Sequence, residues 1–265
     1  MKHSSPAADR ARNWVPMPKI PNGFSHTYMA GADLFTVHDL SCETDEGAQI
    51  FSGINLVLNQ GDIVVVQGKS GCGKTTFLKC LAHLHLYTGD VVFHGNSPKS
   101  YGIPVYRTKV AYVPQRPPLL PGSPRDFLST ASSFAARRKK EKNASMLAKG
   151  LEYPVRIASS WGIDEQLWDR DWSNLSGGET QRIALAITMG LDSAEVLLLD
   201  EPTSALDHQS SLQVERLIAD TLKSNDNGLK AIIWITHSPE QAGRVGTRFL
   251  QFSGGSAYEE YSPPV

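Results

Sequence analysis

The chain has 265 residues, 40% hydrophobic and 20% charged, with 26 Lys+Arg against 27 Asp+Glu and a formal net charge of −1. That length suits one ordinary domain, or one domain with an appended subdomain, and the composition is globular rather than disordered. The balanced charge offers no global attraction for nucleic acid or anionic lipid; the three irregularly spaced cysteines, Cys42, Cys72 and Cys80, are too few for a disulfide framework or a zinc site and fit a reducing compartment.

Residues 1–33 carry Lys2, Arg10, Arg12, Lys19 and four prolines without an apolar signal-peptide core. They are expected to form a flexible or surface-hugging extension, with a weak organellar presequence as the alternative. Leu34–Leu58 and Gly89–His94 read as antiparallel β hairpins. Ile63–Gln67, Glu195–Leu199 and Ala231–Thr236 are short, β-branched or leucine-rich and without alternation, the pattern of parallel strands covered on both faces. These runs fall far short of the roughly 20 residues of a membrane-crossing helix, so a membrane role requires another chain to supply the span. Residues 34–116 and about 190–252 are read as one α/β core interrupted by a mostly helical insertion, about 117–175, with Phe127, Leu128, Phe134, Met146 and Leu147 as its apolar points. The tail, 253–265, with Pro263-Pro264, is expected to be loose.

The first buried strand runs into Gly68-Lys69-Ser70-Gly71-Cys72-Gly73-Lys74-Thr75-Thr76 and then a helix. Glycines at 68, 71 and 73 let the backbone wrap a phosphate with its N–H groups inward, and the helix presents its positive end to the same anion. Lys74 would reach the β- and γ-phosphates, and Thr75 would take a place on Mg²⁺. Modification of Cys72 would block nucleotide sterically. Gln115, after Ala111-Tyr112-Val113-Pro114, stands at the junction of core and insertion, where it can reach both metal and water.

Asn174-Leu175-Ser176-Gly177-Gly178-Glu179-Thr180-Gln181-Arg182 opens a helix whose N-terminus is a second anion site. The chain already holds one phosphate loop, so this site is assigned to the γ-phosphate of a nucleotide held by another subunit. Val196–Leu199 ends on Asp200 and Glu201 at the carboxyl edge of a strand, where open α/β sheets bind ligands. Asp200 would hold Mg²⁺ through water, and Glu201 would polarise the attacking water. At the next strand end His237 stands where a γ-phosphate would sit. His83 and His85 are assigned to the helix after the phosphate loop as packing residues rather than metal ligands. The basic run Arg137–Lys142 is read as a solvated helix face or a headgroup contact, and Trp161, Trp168 and Trp172 as shaping the insertion.

Taken in order, these motifs resemble the ATP-binding cassette (ABC) ATPases over about residues 34–252. The resemblance implies a P-loop NTPase fold of α/β class: a RecA-like core, an antiparallel β subdomain and a helical subdomain. It also implies that Gly68–Thr76 is the Walker A loop, Gln115 the Q-loop glutamine and Leu175–Gln181 the signature. Val196–Glu201 is then the Walker B strand, Ser204–Asp207 the D-loop and His237 the switch residue. The expected function is ATP hydrolysis, with ATP and Mg²⁺, in a head-to-tail homodimer that energises a separately encoded membrane permease from the cytoplasmic side. The expected catalytic set is Glu201, His237, Gln115 and Lys74. Gly68 to Thr76 together with Ser176, Gly177 and Gly178 bind nucleotide, and Thr75, Gln115 and Asp200 serve the metal. No nucleic-acid partner is expected. Trp161–Asp164, Asp171–Glu179 and Ile233–His237 look most like the FetAB-type metal exporters, which suggests metal-ion export. A soluble ABC ATPase of nucleic-acid or translation processes is the alternative; a P-loop small-molecule kinase would leave Leu175–Gln181 without a role. The family usually stacks adenine on an aromatic residue soon after the first strand. The stretch Asp39–Thr44 has none, so stacking is either lost or falls to Phe35 or Phe51.

Overall fold

A computed structural model of the protein describes residues 33–117, 121–133, 144–191, 194–224 and 228–260, with the backbone alone over 144–150. Nearly all of the N-terminal extension, Phe134, the run Arg137–Lys142 and the last five residues therefore lie outside the described residues.

The architecture combines two sheets. In the smaller, β1 (Phe35–Glu43) lies between β2 (Gln49–Leu58) and β4 (Thr88–Phe93), all antiparallel. Its β1 strand bulges at Asp39, whose φ of 48° is left-handed and whose N–H is held by the Asn55 side chain at 3.0 Å. The bulge thrusts the Asp39 carbonyl at the neighbouring strand, so a Cβ on Gly89 would lie 2.3 Å from it; only glycine fits there.

The larger sheet has six strands in the order β5 (Val110–Val113), β6 (Val196–Asp200), β7 (Ala231–Ile235), β3 (Ile63–Gly68), β8 (Arg248–Ser253) and β9 (Ser256–Glu260). The first five are parallel, and β9 folds back antiparallel on β8. Every residue of β6 and β7 is buried. That is why these strands are continuously apolar: helices or the small sheet cover both faces, and a polar side chain on either would be left without water. On one face the core joins α1 (Lys74–Leu81) and the small sheet through Phe51, Phe77 and Phe252. On the other it joins α6 (Gly177–Gly190), α7 (His208–Lys223) and α8 (Pro239–Val245) with Trp161, Trp168 and Trp172. Two short helices, α2 (Pro98–Tyr101) and α3 (Ile103–Lys109), lead into β5.

Between β5 and α6 the described chain forms α4 (Pro124–Ser133), α5 (Ala144–Ser160) and two 3₁₀ turns, Glu165–Asp169 and Trp172–Asn174. Pro154 lies inside α5, and a Cβ on Gly190 would fall 2.5 Å from its ring. Gly190 is thus the concession that lets α6 pack against the proline of α5.

Two expectations need correction. The tail is not loose over its first residues: Gly254 and Gly255, with φ of 59° and 78°, make a tight hairpin turn into β9, and Ala257 packs on the core. Arg248 reinforces the hairpin by bonding both Asp62 and Glu259. His83 and His85 are not helical either. The helix stops at Leu81, and His83 turns the chain with φ 55° while its Nδ1 lies 3.2 Å from the Tyr87 hydroxyl.

One carboxylate fastens the starts of three parallel strands. Glu195, just before β6, meets Lys109 at 2.6 Å, Lys230 at 2.7 Å and His94 at 2.9 Å. Its own backbone bonds Lys109 O, Lys230 N and Ala231 N. Burial pushes its pKa up, but the bonds from Lys109, Lys230 and His94 outweigh that and draw the pKa from 4.5 down to about 2. Because the folded value lies below the unfolded one, this stabilisation is complete above pH 4.5 and is lost as pH falls through about 2. Glu195→Gln is therefore expected to destabilise the fold at pH 7 by about 1–2 kcal/mol, the cluster being partly solvated. Urea melts of both proteins should show that gap closing progressively below pH 4.5; a gap that is constant down to pH 3 would contradict the assignment.

Candidate active site

Val66 pairs with Ile235 and Ile235 with Asp200, so β7 and β6 end level with one another and β3 runs two residues past them to Gly68. Three loops consequently leave one sheet edge together: 68–74 after β3, 201–207 after β6 and 236–238 after β7. Parallel strands impose this, since all their carboxyl ends lie on the same side.

The loop after β3 is shaped by glycines. Gly68, Gly71 and Gly73 have φ of 146°, 77° and 99°, values side chains resist. A Cβ on Gly68 would strike the Phe252 carbonyl at 2.7 Å, and one on Gly73 would strike Ile50 at 2.8 Å. Gly71 faces open space, and Lys69, Ser70 and Gly71 are exposed. Gly73 N-caps α1, so Lys74, Thr75 and Thr76 form its first turn. The Lys74 ammonium spans the loop, donating to Gly68 O at 2.8 Å and Lys69 O at 3.0 Å, with Cys72 Sγ 3.9 Å away. A concave run of backbone with a cation across it suits a polyphosphate.

Thr75 Oγ1 donates to Asp200 Oδ1 at 3.2 Å, while Tyr112 donates its hydroxyl to the other oxygen at 2.9 Å. The hydroxyl and the carboxylate converge as two hard oxygen donors beside the phosphate loop, which fits Mg²⁺. Tyr112 holds the carboxylate's rotation; its own pKa is pushed well above the usual tyrosine value, first by burial and then by the Asp200 charge.

Glu201, next in the chain, has φ 47°, a left-handed conformation that is costly outside glycine and concentrates at functional sites. Its N–H is held by Ile235 O at 3.1 Å, and its carbonyl accepts from Ser204 N. The conformation turns the carboxylate between two partners: Gln115 Nε2 at 2.8 Å and His237 Nε2 at 3.1 Å. Gln115, Glu201 and His237 are thus brought together, with Gln115 bonded to Glu201 rather than to the Thr75–Asp200 pair.

Ser176 N-caps α6 in a reciprocal capping box: its hydroxyl accepts from Glu179 N at 3.3 Å, and its N–H donates to Glu179 Oε2 at 2.7 Å. Gly177 and Gly178 open the helix. A Cβ on Gly178 would lie 3.2 Å from Ala205 O, so this turn packs on the loop after β6.

One residue quoted only as part of a motif proves central. Gln181 is 1% exposed, and its amide donates to Gln115 O and to Glu201 O, each at 3.1 Å, while its oxygen accepts from Ala205 N at 3.2 Å. It ties the loop after β6, at Glu201 and Ala205, to the segment after β5 at Gln115. Its sequence signal was a polar side chain among the apolar positions of α6. Gln241 does similar work nearby, bonding Thr203 and Glu215 at 2.8 and 2.7 Å.

Neither aromatic proposed for base stacking is available. Phe35 and Phe51 are fully buried; Phe51 stands edge-on between Phe77 and Phe252, and Phe35 packs near Phe93. Both fill the interior of the small sheet, so neither offers a face to a purine.

Residues 51–204 match the family model described as ABC transporter, and the chain belongs to that family. It is 31% identical over 220 residues to the phosphate import ATP-binding protein PstB 1 of Enterococcus faecalis, covering 80% of this chain and 83% of that one. It is 34% identical over 203 residues to the putative ABC transporter ATP-binding protein YjkB of Bacillus subtilis, covering 76% and 75%. Among solved structures, one titled as the ATP binding subunit of an ABC transporter superposes with a TM-score of 0.73 at 20% identity, covering 86% of this chain and 90% of that one. CbiO1 of Clostridium perfringens, described as part of the cbiONQ complex, gives 0.71 at 22% identity, covering 88% and 90%. The fold is that of ABC ATP-binding subunits, and the chain is an ATPase coupled to transport.

Two outcomes are expected. Removing the amide of Gln181 should misplace Glu201 and Gln115 together, so Gln181→Ala should lower ATP turnover by about tenfold to a hundredfold. Its ATP affinity should stay within about threefold, because the phosphate loop is untouched; steady-state kinetics with equilibrium nucleotide binding separate the two. Without an aromatic platform over residues 39–44, the purified protein should bind ATP and GTP with matched affinities, and a strong preference for ATP would contradict this.

Proposed function

We propose that this chain is one half of the ATP-hydrolysing motor of a transporter, working as a head-to-tail homodimer beneath a separately encoded permease at the cytoplasmic side of a membrane. The observation that carries this reading is the location of Ser176, Gly177 and Gly178. They form a helix N-terminus suited to an anion, and Gly177 and Gly178 pack on Ala205, which supports completion of the phosphate loop by another copy. Among the described residues no helix is long and apolar enough to cross a membrane.

In this reading Gly68 to Thr76 cradle the triphosphate of ATP, and Lys74 exchanges its loop carbonyls for β- and γ-phosphate oxygens. Thr75 and Asp200 would hold Mg²⁺, with Gln115 reaching it on closure; the ion supplies neutralisation of charge on the phosphoryl oxygens. Glu201 orients and deprotonates the attacking water. His237 and Gln115, each bonded to that carboxylate, fix its direction and report the γ-phosphate. The partner's copy of Ser176 and Gly178 would close over the same phosphate. Most of the acceleration comes from positioning and electrostatic stabilisation, as is general for phosphoryl transfer. ATP then holds the two copies together, and hydrolysis lets them part.

For the cargo, the pieces Trp161–Asp164, Asp171–Glu179 and Ile233–His237 support metal-ion export, through their likeness to FetAB-type ATPases. A second reading, phosphate import, is favoured by the relatives whose names carry that function. Efflux from metal-loaded vesicles against uptake of labelled phosphate, with the chain and its permease co-reconstituted, distinguishes them.

Replacing the water-activating carboxylate should trap the closed state. Glu201→Gln is expected to lose about a hundredfold or more in turnover and to elute as a dimer with ATP and a monomer without it. A variant that stays monomeric in ATP at high protein concentration would sink the composite-site reading.

A further inference from the structure

Three side chains distant in sequence meet beside the phosphate-loop helix. Cys42 lies near the end of β1, Cys80 on the last turn of α1 and His85 in the turn that follows it. Both thiols are free and buried. Their two Sγ atoms and a ring nitrogen of His85 all lie within 4.8 Å of one another, with Cys42 Sγ 3.7 Å from His85 Nδ1. Donors around a tetrahedral ion with bonds of about 2.0–2.3 Å sit about 3.3–3.8 Å apart, so the cluster needs only a small contraction to close on one.

A fourth donor is already in place. The Leu86 carbonyl oxygen lies 3.4 Å from Cys42 Sγ, 3.9 Å from Cys80 Sγ and 3.1 Å from His85 Nδ1. Three groups converge on one oxygen, and two of them are weak sulfur donors at long range. As a hydrogen-bond arrangement this is poor; as a set of two sulfurs, one imidazole nitrogen and one oxygen it is a ligand shell.

We propose that Cys42, Cys80 and His85, with the Leu86 carbonyl, bind one thiophilic divalent cation, namely zinc. Charge selects the ion: two thiolates and Zn²⁺ sum to zero, the state a buried site tolerates, whereas a monovalent soft cation would leave a net negative charge there. On binding, two metal–sulfur bonds, one metal–nitrogen bond and one metal–oxygen bond replace the ion's water ligands, the two thiol protons leave to solvent, and the imidazole stays neutral with its proton on Nε2. The ion would pin the end of β1 to the far end of the phosphate-loop helix. The site is separate from the Thr75–Asp200 pair, whose hard oxygen donors suit magnesium, and it does not depend on what the permease carries.

Cobalt(II) titration of the reduced, chelator-treated full chain without nucleotide tests this. Wild type should take up one cobalt per chain with visible bands of tetrahedral intensity and a thiolate-to-cobalt charge-transfer band, both bleached by one equivalent of zinc. The double variant Cys42→Ser/Cys80→Ser should lose the charge-transfer band, and His85→Asn should weaken cobalt binding by at least about tenfold. His83→Asn should change neither. His85 reaches the cluster from a surface turn, so its variant keeps the test decisive if the buried cysteine variants fail to fold. Absence of the charge-transfer band in wild type, its persistence in a folded double cysteine variant, or a Cys42–Cys80 disulfide formed by oxidant in protein that takes up no cobalt would each overturn the proposal.

Discussion

The shared register of three parallel strands is the constraint on which the site depends. Strand β3 delivers the phosphate loop, β6 delivers Asp200 and Glu201, and β7 delivers His237. Their groups meet only because Val66, Ile235 and Asp200 share one register line. A one-residue slip of β6 would turn Asp200 to the opposite face and carry Glu201 out of reach of His237. The continuous apolar character of β6 and β7 and the Glu195 cluster at the opposite edge both hold that register, one by burial and the other by hydrogen bonding. The catalytic edge is therefore located by contacts at the far end of the same strands.

Much of this was legible in the sequence because phosphate binding permits few solutions. Glycines at left-handed positions, a lysine opening a helix and paired acids ending a buried strand are dictated by local geometry, and local geometry is written in consecutive residues. What stayed hidden was long-range. The bridging role of Gln181 depends on the segments after β5 and β6, which meet only after folding, and the Tyr112–Asp200 bond on two strands paired across the sheet. The apolar content of β9 is too slight to announce a strand; its existence rests on the two-glycine turn and on β8 as a template. Phe35 and Phe51 looked available for stacking because sequence does not say which face of a sheet an aromatic takes. The small sheet's interior claims both.

In the proposed function Ser176 has two duties that compete. In the isolated chain its hydroxyl satisfies the N–H of Glu179 as a helix cap, while Glu179 returns a bond to its backbone. Engagement of a phosphate by the same hydroxyl would draw on an oxygen already in use, although a hydroxyl can accept from one group and donate to another. The cap thus preorients Ser176 without consuming its proton, and the helix N-terminus is rigid before any partner arrives.

The hairpin at the end of the large sheet has a consequence for how the protein behaves in a crowded solution. β9 is the sheet's outermost strand, only five residues long, and it carries Glu259 and Glu260, the first tied to Arg248 across the hairpin. Short length and like charges make that rim a poor template for an intruding strand from another molecule. The sheet is thereby sealed against runaway growth on this side, so that backbone pairing does not compete with the nucleotide-driven association proposed above.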